Sequence, residues 1–208
     1  MPRPPARPLS LLLLLTLPLT TAGRARATEV RVSAGALERT LRTQLFTAIP
    51  PDAPGQPRYY MRGDLHSPCF VYADTPQVEF RDDRVVVHVH TRARIGTPLH
   101  GTCLGLTLST DAEVSFVPVV EAESIGFRDA RIERLSESKE LNFLLVPFLS
   151  RKLPAQMSIN AAELMRKLLS RSPEQTGYTF ALSSLKLHSM LVQENALTLD
   201  LDANLHVD

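Results

Sequence analysis

From Leu104 onward, apolar and polar residues alternate almost without error. Leu104, Leu106, Leu108, Ala112, Val114 and Phe116 fall on one side, and Thr107, Ser109, Asp111, Glu113 and Ser115 on the other. The period returns at Leu197, Leu199, Leu201, Ala203, Leu205 and Val207, and again at Val85, Val87, Val89, Ala93 and Ile95. Period-two alternation predicts strands with one face toward an apolar interior and the other toward water. Strands of about eleven to thirteen residues would reach roughly 35–45 Å, well past the usual five or six residues. A sheet that long with one wet face is antiparallel and needs a long apolar partner, either helices or a ligand.

The rest of the chain supplies the helices. Val30 and Val32 read as a short strand, and Ser33 as the N-cap of an amphipathic helix carrying Leu37, Leu41 and Leu45. The proline-rich stretch 50–57 reads as a loop, followed by the aromatic run Tyr59-Tyr60. Segments 69–72 and 77–81 predict two short strands, and Asp82-Asp83 the turn into a strand over 84–95. A second turn falls near His100-Gly101; the next strand runs from Cys103 to Val117, where Pro118 interrupts it, and another covers 124–135. The period then changes. Leu141, Leu144, Leu145, Phe148 and Leu149 predict a helix, widened by Phe143 and Val146 to be apolar almost all round and therefore deeply buried. Pro147 kinks it or opens a second segment, and Pro154 ends it. Asn160 with Glu163 caps another helix bearing Leu164, Met165, Leu168 and Leu169. Two strands joined by a turn at Glu194-Asn195 close the chain. This order predicts an α+β fold, a long, strongly twisted antiparallel sheet wrapped around one or two buried helices.

The first residues change the charge and the compartment. Arg3 and Arg7 precede an apolar run from Leu9 to Leu19, and small residues follow at Ala22 and at Ala25-Arg26-Ala27. This is the pattern of a cleaved export signal over 1–27, too short to span a bilayer, which leaves residues 28–208 as a single domain. With no cysteine near either cleavage position, an N-terminal lipid anchor is not expected. Removing four arginines leaves 19 basic and 22 acidic residues. A net charge of −3 without a basic block argues against nucleic acid as a partner, and no later run is apolar for the roughly twenty residues of a transmembrane span. The two cysteines, Cys69 and Cys103, most simply form one disulfide in an oxidising compartment, the alternative being two buried free thiols. No C-x-x-C of a redox enzyme is present.

The succession of a Ser-capped helix, the strands at 84–95 and 103–117, the runs Phe116-Val117-Pro118 and Ile125-Gly126-Phe127-Arg128-Asp129-Ala130, a buried helix and a terminal hairpin resembles the YceB-like family of bacterial envelope proteins. Through it the chain resembles the tubular lipid-binding (BPI-like) superfamily. The resemblance covers about 28–208 and implies a half-barrel sheet around a helix, with an apolar groove for acyl chains. Family members are typically lipoproteins; the missing anchor cysteine implies a periplasmic or secreted protein instead.

Catalytic and metal chemistry find little footing. His88 and His90 share a strand face and could share a metal with Asp111, Glu113 or His100, but Arg92 and Arg94 mark that face as solvated. Asp64, His66 and Ser67 are adjacent in sequence, which does not make a triad, and Arg62-Gly63-Asp64 is a short chance match to an integrin motif. No nucleophile elbow, phosphate loop or zinc-protease motif occurs. No metal, cofactor or catalytic residue is expected. The reading is a non-enzymatic protein that binds a lipid or other hydrophobic small molecule between sheet and helix. Val87, Val89, Leu106, Leu108, Phe116, Phe143, Leu145 and Phe148 would line the groove, with Tyr59, Tyr60 and Phe70 near its mouth. The alternative is an envelope structural protein with a packed core, docking a protein partner.

Overall fold

In the computed structural model, which describes residues 28–193 and 195–207, β1 (Thr28–Ser33) leads directly into α1 (Ala34–Gln44). Ser33 holds extended backbone angles and its Oγ accepts from the Ala36 N–H at 3.3 Å, satisfying one of the helix's free donors. Leu37 and Leu41, one turn apart, are buried. The proposed export signal at 1–27 and the turn residue Glu194 lie outside the described residues.

Six strands form the larger sheet, in the order β2 (Tyr59–Arg62), β3 (Phe70–Arg81), β4 (Arg84–Leu99), β5 (Thr102–Glu121), β6 (Ser124–Arg134) and β7 (Ile159–Asn160), all antiparallel. It curls into a half-barrel around α1 and the helical segment that follows β6. Strands β4 and β5 run 16 and 20 residues, longer than the alternation alone indicated. Two prolines, one in β3 and one in β5, interrupt their strands less than the sequence predicts. Pro76 falls in a bulge between Asp74 and Gln77, where β3 steps past β4 without breaking, so the two expected short strands are one. Pro118 stays inside β5 opposite Phe127, just beyond a second bulge between Ser115 and Val117. Among the described residues β3 is a free edge beyond the β2 pairing, and Glu38 of α1 reaches over to accept the Val78 N–H at 3.0 Å. That contact shields an edge donor that would otherwise invite strand addition.

At the far end of the β4–β5 hairpin, Gly96 and Gly105 face each other. A Cβ on Gly96 would sit 2.0 Å from the Leu104 carbonyl oxygen, and one on Gly105 2.0 Å from that of Ile95. No side chain fits at either position. The hairpin turns at His100 and Gly101, both with positive φ.

After β6 the chain forms α2 (Lys139–Pro147), a five-residue π-helical stretch (Phe148–Lys152) and α3 (Leu153–Met157). Pro147 ends α2, and the chain continues through a wider turn in which the Leu153 N–H donates to the Phe148 carbonyl. Pro154 does not end the helix; it occupies the first turn of α3, where no intrahelical N–H is needed. Leu141, Leu145, Phe148, Leu149 and Leu153 are buried against the sheet. The expectation of a helix buried all round is corrected. Phe143 is 80% exposed and Val146 also faces water.

The last hairpin does not join the larger sheet. β8 (Phe180–Gln193) and β9 (Ala196–Val207) pair with β1 in a separate three-stranded sheet of order β1-β9-β8. Between them and β7 lie α4 (Ala161–Leu169), capped by Asn160 Oδ1 on the Glu163 N–H at 2.8 Å, and α5 (Ser172–Thr176), closed by Gly177 at φ 76°. The fold therefore holds two cores: one inside the half-barrel, and one where β1, β8 and β9 pack on α4 and Ile125.

An arginine links β4 to β6. Arg84 Nη1 donates to Asp129 Oδ2 at 3.0 Å and its Nε to Ser115 Oγ at 2.8 Å, and the guanidinium also reaches the Asp129 carbonyl. The hydrogen bond from Arg84, helped by the charge of Arg131, holds the Asp129 carboxyl below its ordinary range. A carboxylate depressed in the folded state adds stability above the unfolded pKa of about 3.9, lost as pH falls through the folded value. Acidification from about pH 5 to pH 3 should therefore lower the urea midpoint more in the native protein than in Asp129→Asn.

Candidate functional site

The sequence-predicted lining divides into three groups. Val87, Val89, Phe116, Leu145 and Phe148 lie in the closely packed core of the half-barrel, with Leu108 partly buried at its margin. Leu106 is 67% exposed on the inner face of the hairpin end, beyond the reach of the helices, and neighbouring Leu104 is 57% exposed. Tyr59, Phe143 and Phe148 do meet, in a cleft of about 370 Å³ with Met61, Leu144 and Lys152. There Tyr59 stacks on Phe148 with ring centroids 5.0 Å apart, and burial raises the Tyr59 hydroxyl pKa.

Tyr60 and Phe70 are not part of that cleft. The pairings Tyr60–Tyr72, Tyr72–Arg92 and Phe70–Arg94 put them on the outer face of the sheet. They join an aromatic–arginine cluster instead. Phe70 stacks on Tyr72 at 5.3 Å, and the Arg58 guanidinium covers Tyr72 at 4.4 Å from the ring centre. Cys69 and Cys103 are disulfide-bonded.

The outer face holds a polar hollow of about 710 Å³ whose floor includes His88, His90 and Asp111. His90 Nδ1 lies 3.1 Å from buried Asp74 Oδ1, and its Nε2 lies 2.7 Å from Ser109 Oγ. This is the order of groups in a serine-hydrolase relay. Ser109, however, sits in a regular ladder paired with Arg92, and backbone N–H groups of such a strand lie in the sheet plane. They cannot converge on an oxyanion held above the face. The relay ties three strands together. His88 stands between Glu79 at 3.4 Å and Glu113 at 3.5 Å, and Arg81 bridges both carboxylates. Burial pushes the Glu79 carboxyl up, but hydrogen bonds from Arg81 and His88 outweigh it and hold it below the usual range. Among the described residues, no group of three or more His, Cys, Asp or Glu side chains is placed to hold a metal ion. Asp64 and Ser67, the other sequence cluster, form a turn in which Ser67 Oγ donates to Asp64 Oδ1 at 2.9 Å.

The cleft best suited to an apolar ligand lies elsewhere. Between the three-stranded sheet and α4 is a cavity of about 300 Å³. Val30 and Val32 of β1, Leu185 and Leu187 of β8, and Leu199 and Leu201 of β9 line its sheet side. Ala161, Leu164, Met165 and Leu168 of α4 face them, with Ala36 and Thr40 of α1 and Ile125 and Ile159 at the ends. All its lining residues but Arg31 and Thr40 are apolar. Leu164 and Leu168 stand 49% and 60% exposed at the rim. The volume lies at the low end of the roughly 300–1,000 Å³ of ligand pockets. The sequence carries the signals of its parts, the alternation of β8 and β9 and the apolar stripe of α4. It carries no signal that β1 would pair with β9 and complete the wall.

Among the described residues no helix is long and apolar enough to cross a membrane. No family model, curated protein or solved structure matches the chain.

Proposed function

We propose that this protein binds a lipid or other hydrophobic small molecule in the cleft between the three-stranded sheet and α4, without catalysing a reaction. The observation that carries this reading is the cleft's lining: apolar on sheet, helix and ends except for Arg31 and Thr40, and open at Leu164 and Leu168. An acyl chain leaving water for such a site gains about 0.8 kcal/mol per buried methylene. The resemblance to lipid-binding envelope proteins agrees with it, as does a disulfide, which fits an exported, periplasmic or secreted location. The half-barrel interior is the less suitable place, because the side chains facing it are buried against one another in one core cluster.

Uptake of a fluorescent fatty-acid probe, followed beside native mass spectrometry of the purified protein, tests the proposal. Ala36→Leu with Ala161→Leu adds bulk from two helices into the cleft and should weaken probe binding about tenfold or more, near 1.4 kcal/mol. Unchanged uptake by the folded double variant would refute this site. A second reading, an envelope interaction protein, draws on the solvent-facing Leu104, Leu106 and Phe143. It predicts no probe uptake, and copurification of a partner that Leu106→Glu releases.

A further inference from the structure

We infer that the ligand is a single-chain amphiphile with an uncharged, hydrogen-bonding head; this rests on the cleft assigned above. The apolar cavity does not end in a wall of leucines. Thr40, Ile159 and Leu164 line it and also line a second hollow of about 320 Å³, so the two share a boundary. Gln44, Ser158, Asn160, Glu163 and Lys167 complete that second hollow. One side of the boundary is hydrocarbon and the other is amide, hydroxyl and a single ion pair. A molecule lying across it needs an apolar tail and a polar head.

The charges set the kind of head. Lys167 Nζ lies 2.7 Å from Glu163 Oε1, so the cation in this hollow is already matched by a carboxylate. Arg31, at the apolar cavity, is likewise paired with Glu29 at 2.7 Å. Among the described residues lining the two hollows, a bare carboxylate or a phosphate would therefore meet Glu163 with no uncompensated cation to receive it. The Asn160 oxygen is engaged as a helix cap, and the Thr40 hydroxyl donates to the Ala36 carbonyl at 3.1 Å. Among the described residues no hydrogen bond engages the Gln44 amide, the Ser158 hydroxyl or the Asn160 NH₂, and these address a head rich in hydroxyl or amide groups, such as glycerol. The volume sets the tail. About 300 Å³ lies at the low end of the range of ligand pockets. A cleft of that size favours one chain of medium length over two.

The test uses the full mature chain and three probes, 1-monodecanoylglycerol, decanoate and didecanoylglycerol, each competing with the fluorescent fatty-acid probe at pH 8. The monoglyceride should bind about tenfold or more tightly than either other probe. Gln44→Ala with Ser158→Ala, both exposed positions, should remove most of that preference, the monoglyceride falling to the affinity of decanoate in the same competition. Equal or tighter binding of decanoate or of the diglyceride, or an unchanged preference in the double variant, overturns the inference. If the fluorescent probe enters but the monoglyceride has no advantage, only this inference falls. If nothing apolar enters the cleft, the binding reading falls with it.

Discussion

Phe116→Ala is expected to destabilise the protein by about 3–5 kcal/mol, a large share of the 5–15 kcal/mol that holds a typical domain together. Phe116 is fully buried, pairs in register with Val85 and meets the Phe127 ring edge-on at 6.4 Å. Its ring fills the half-barrel where β4, β5 and β6 come together. Truncation removes the transfer energy of the ring and leaves a cavity that three hydrogen-bonded strands cannot collapse. Urea unfolding would show a lower midpoint at unchanged slope. Below the transition, probe affinity should stay native, because the proposed cleft belongs to the other core. Phe143→Ala gives the contrast. That ring is exposed on α2, and its loss should shift stability by no more than about 0.5 kcal/mol. A Phe116→Ala loss under about 1 kcal/mol, or a probe affinity that falls with it, would mean that the half-barrel interior is an open groove rather than a filled core.

The same comparison shows what the chain discloses in one dimension. Local signals are legible: Ser33 and Asn160 cap their helices, Asp82 turns the β3–β4 hairpin at positive φ, and the alternating faces of β4 and β5 are the faces that pack. Some placements follow from geometry alone. Tyr59 and Tyr60 are neighbours on a strand and must face opposite sides, so only one can border an inner groove. Phe143 and Leu145 are two apart on a helix, about 200° around, so one is buried and the other is not. Other features have no local signature. Leu104 and Leu106 obey the alternation perfectly yet are exposed, because burial also requires something opposite, and the helices do not extend that far. The pairing of Val30 with Leu199 joins residues near the two ends of the chain, and it moves the apolar cleft out of the half-barrel.

Reduction of the disulfide, or its replacement by Cys69→Ser with Cys103→Ser, should cost about 3–4 kcal/mol, the second large effect expected. The bridge spans a sequence separation of 34 and encloses all of β3 and β4. In the chain-entropy account, opening a loop of that size frees the unfolded chain far more than the folded one. The folded state has its own reason to need the bridge. It lies beside the hairpin end past Gly96 and Gly105, where Leu99 and Leu104 are exposed, as is Leu106 just before the glycine pair, and little apolar burial opposes fraying. Hydrophobic packing holds the middle of β4 and β5, and the covalent link secures the end that packing does not reach. Two measurements separate these contributions. A lower urea midpoint in reductant reports the global loss, and faster amide exchange confined to residues 94–106 reports the local one. The half-barrel core around Phe116 should keep its exchange protection relative to the global stability. A reduced protein with an unchanged midpoint would mean that ladder hydrogen bonds alone hold the hairpin end, and that the bridge contributes little to the fold.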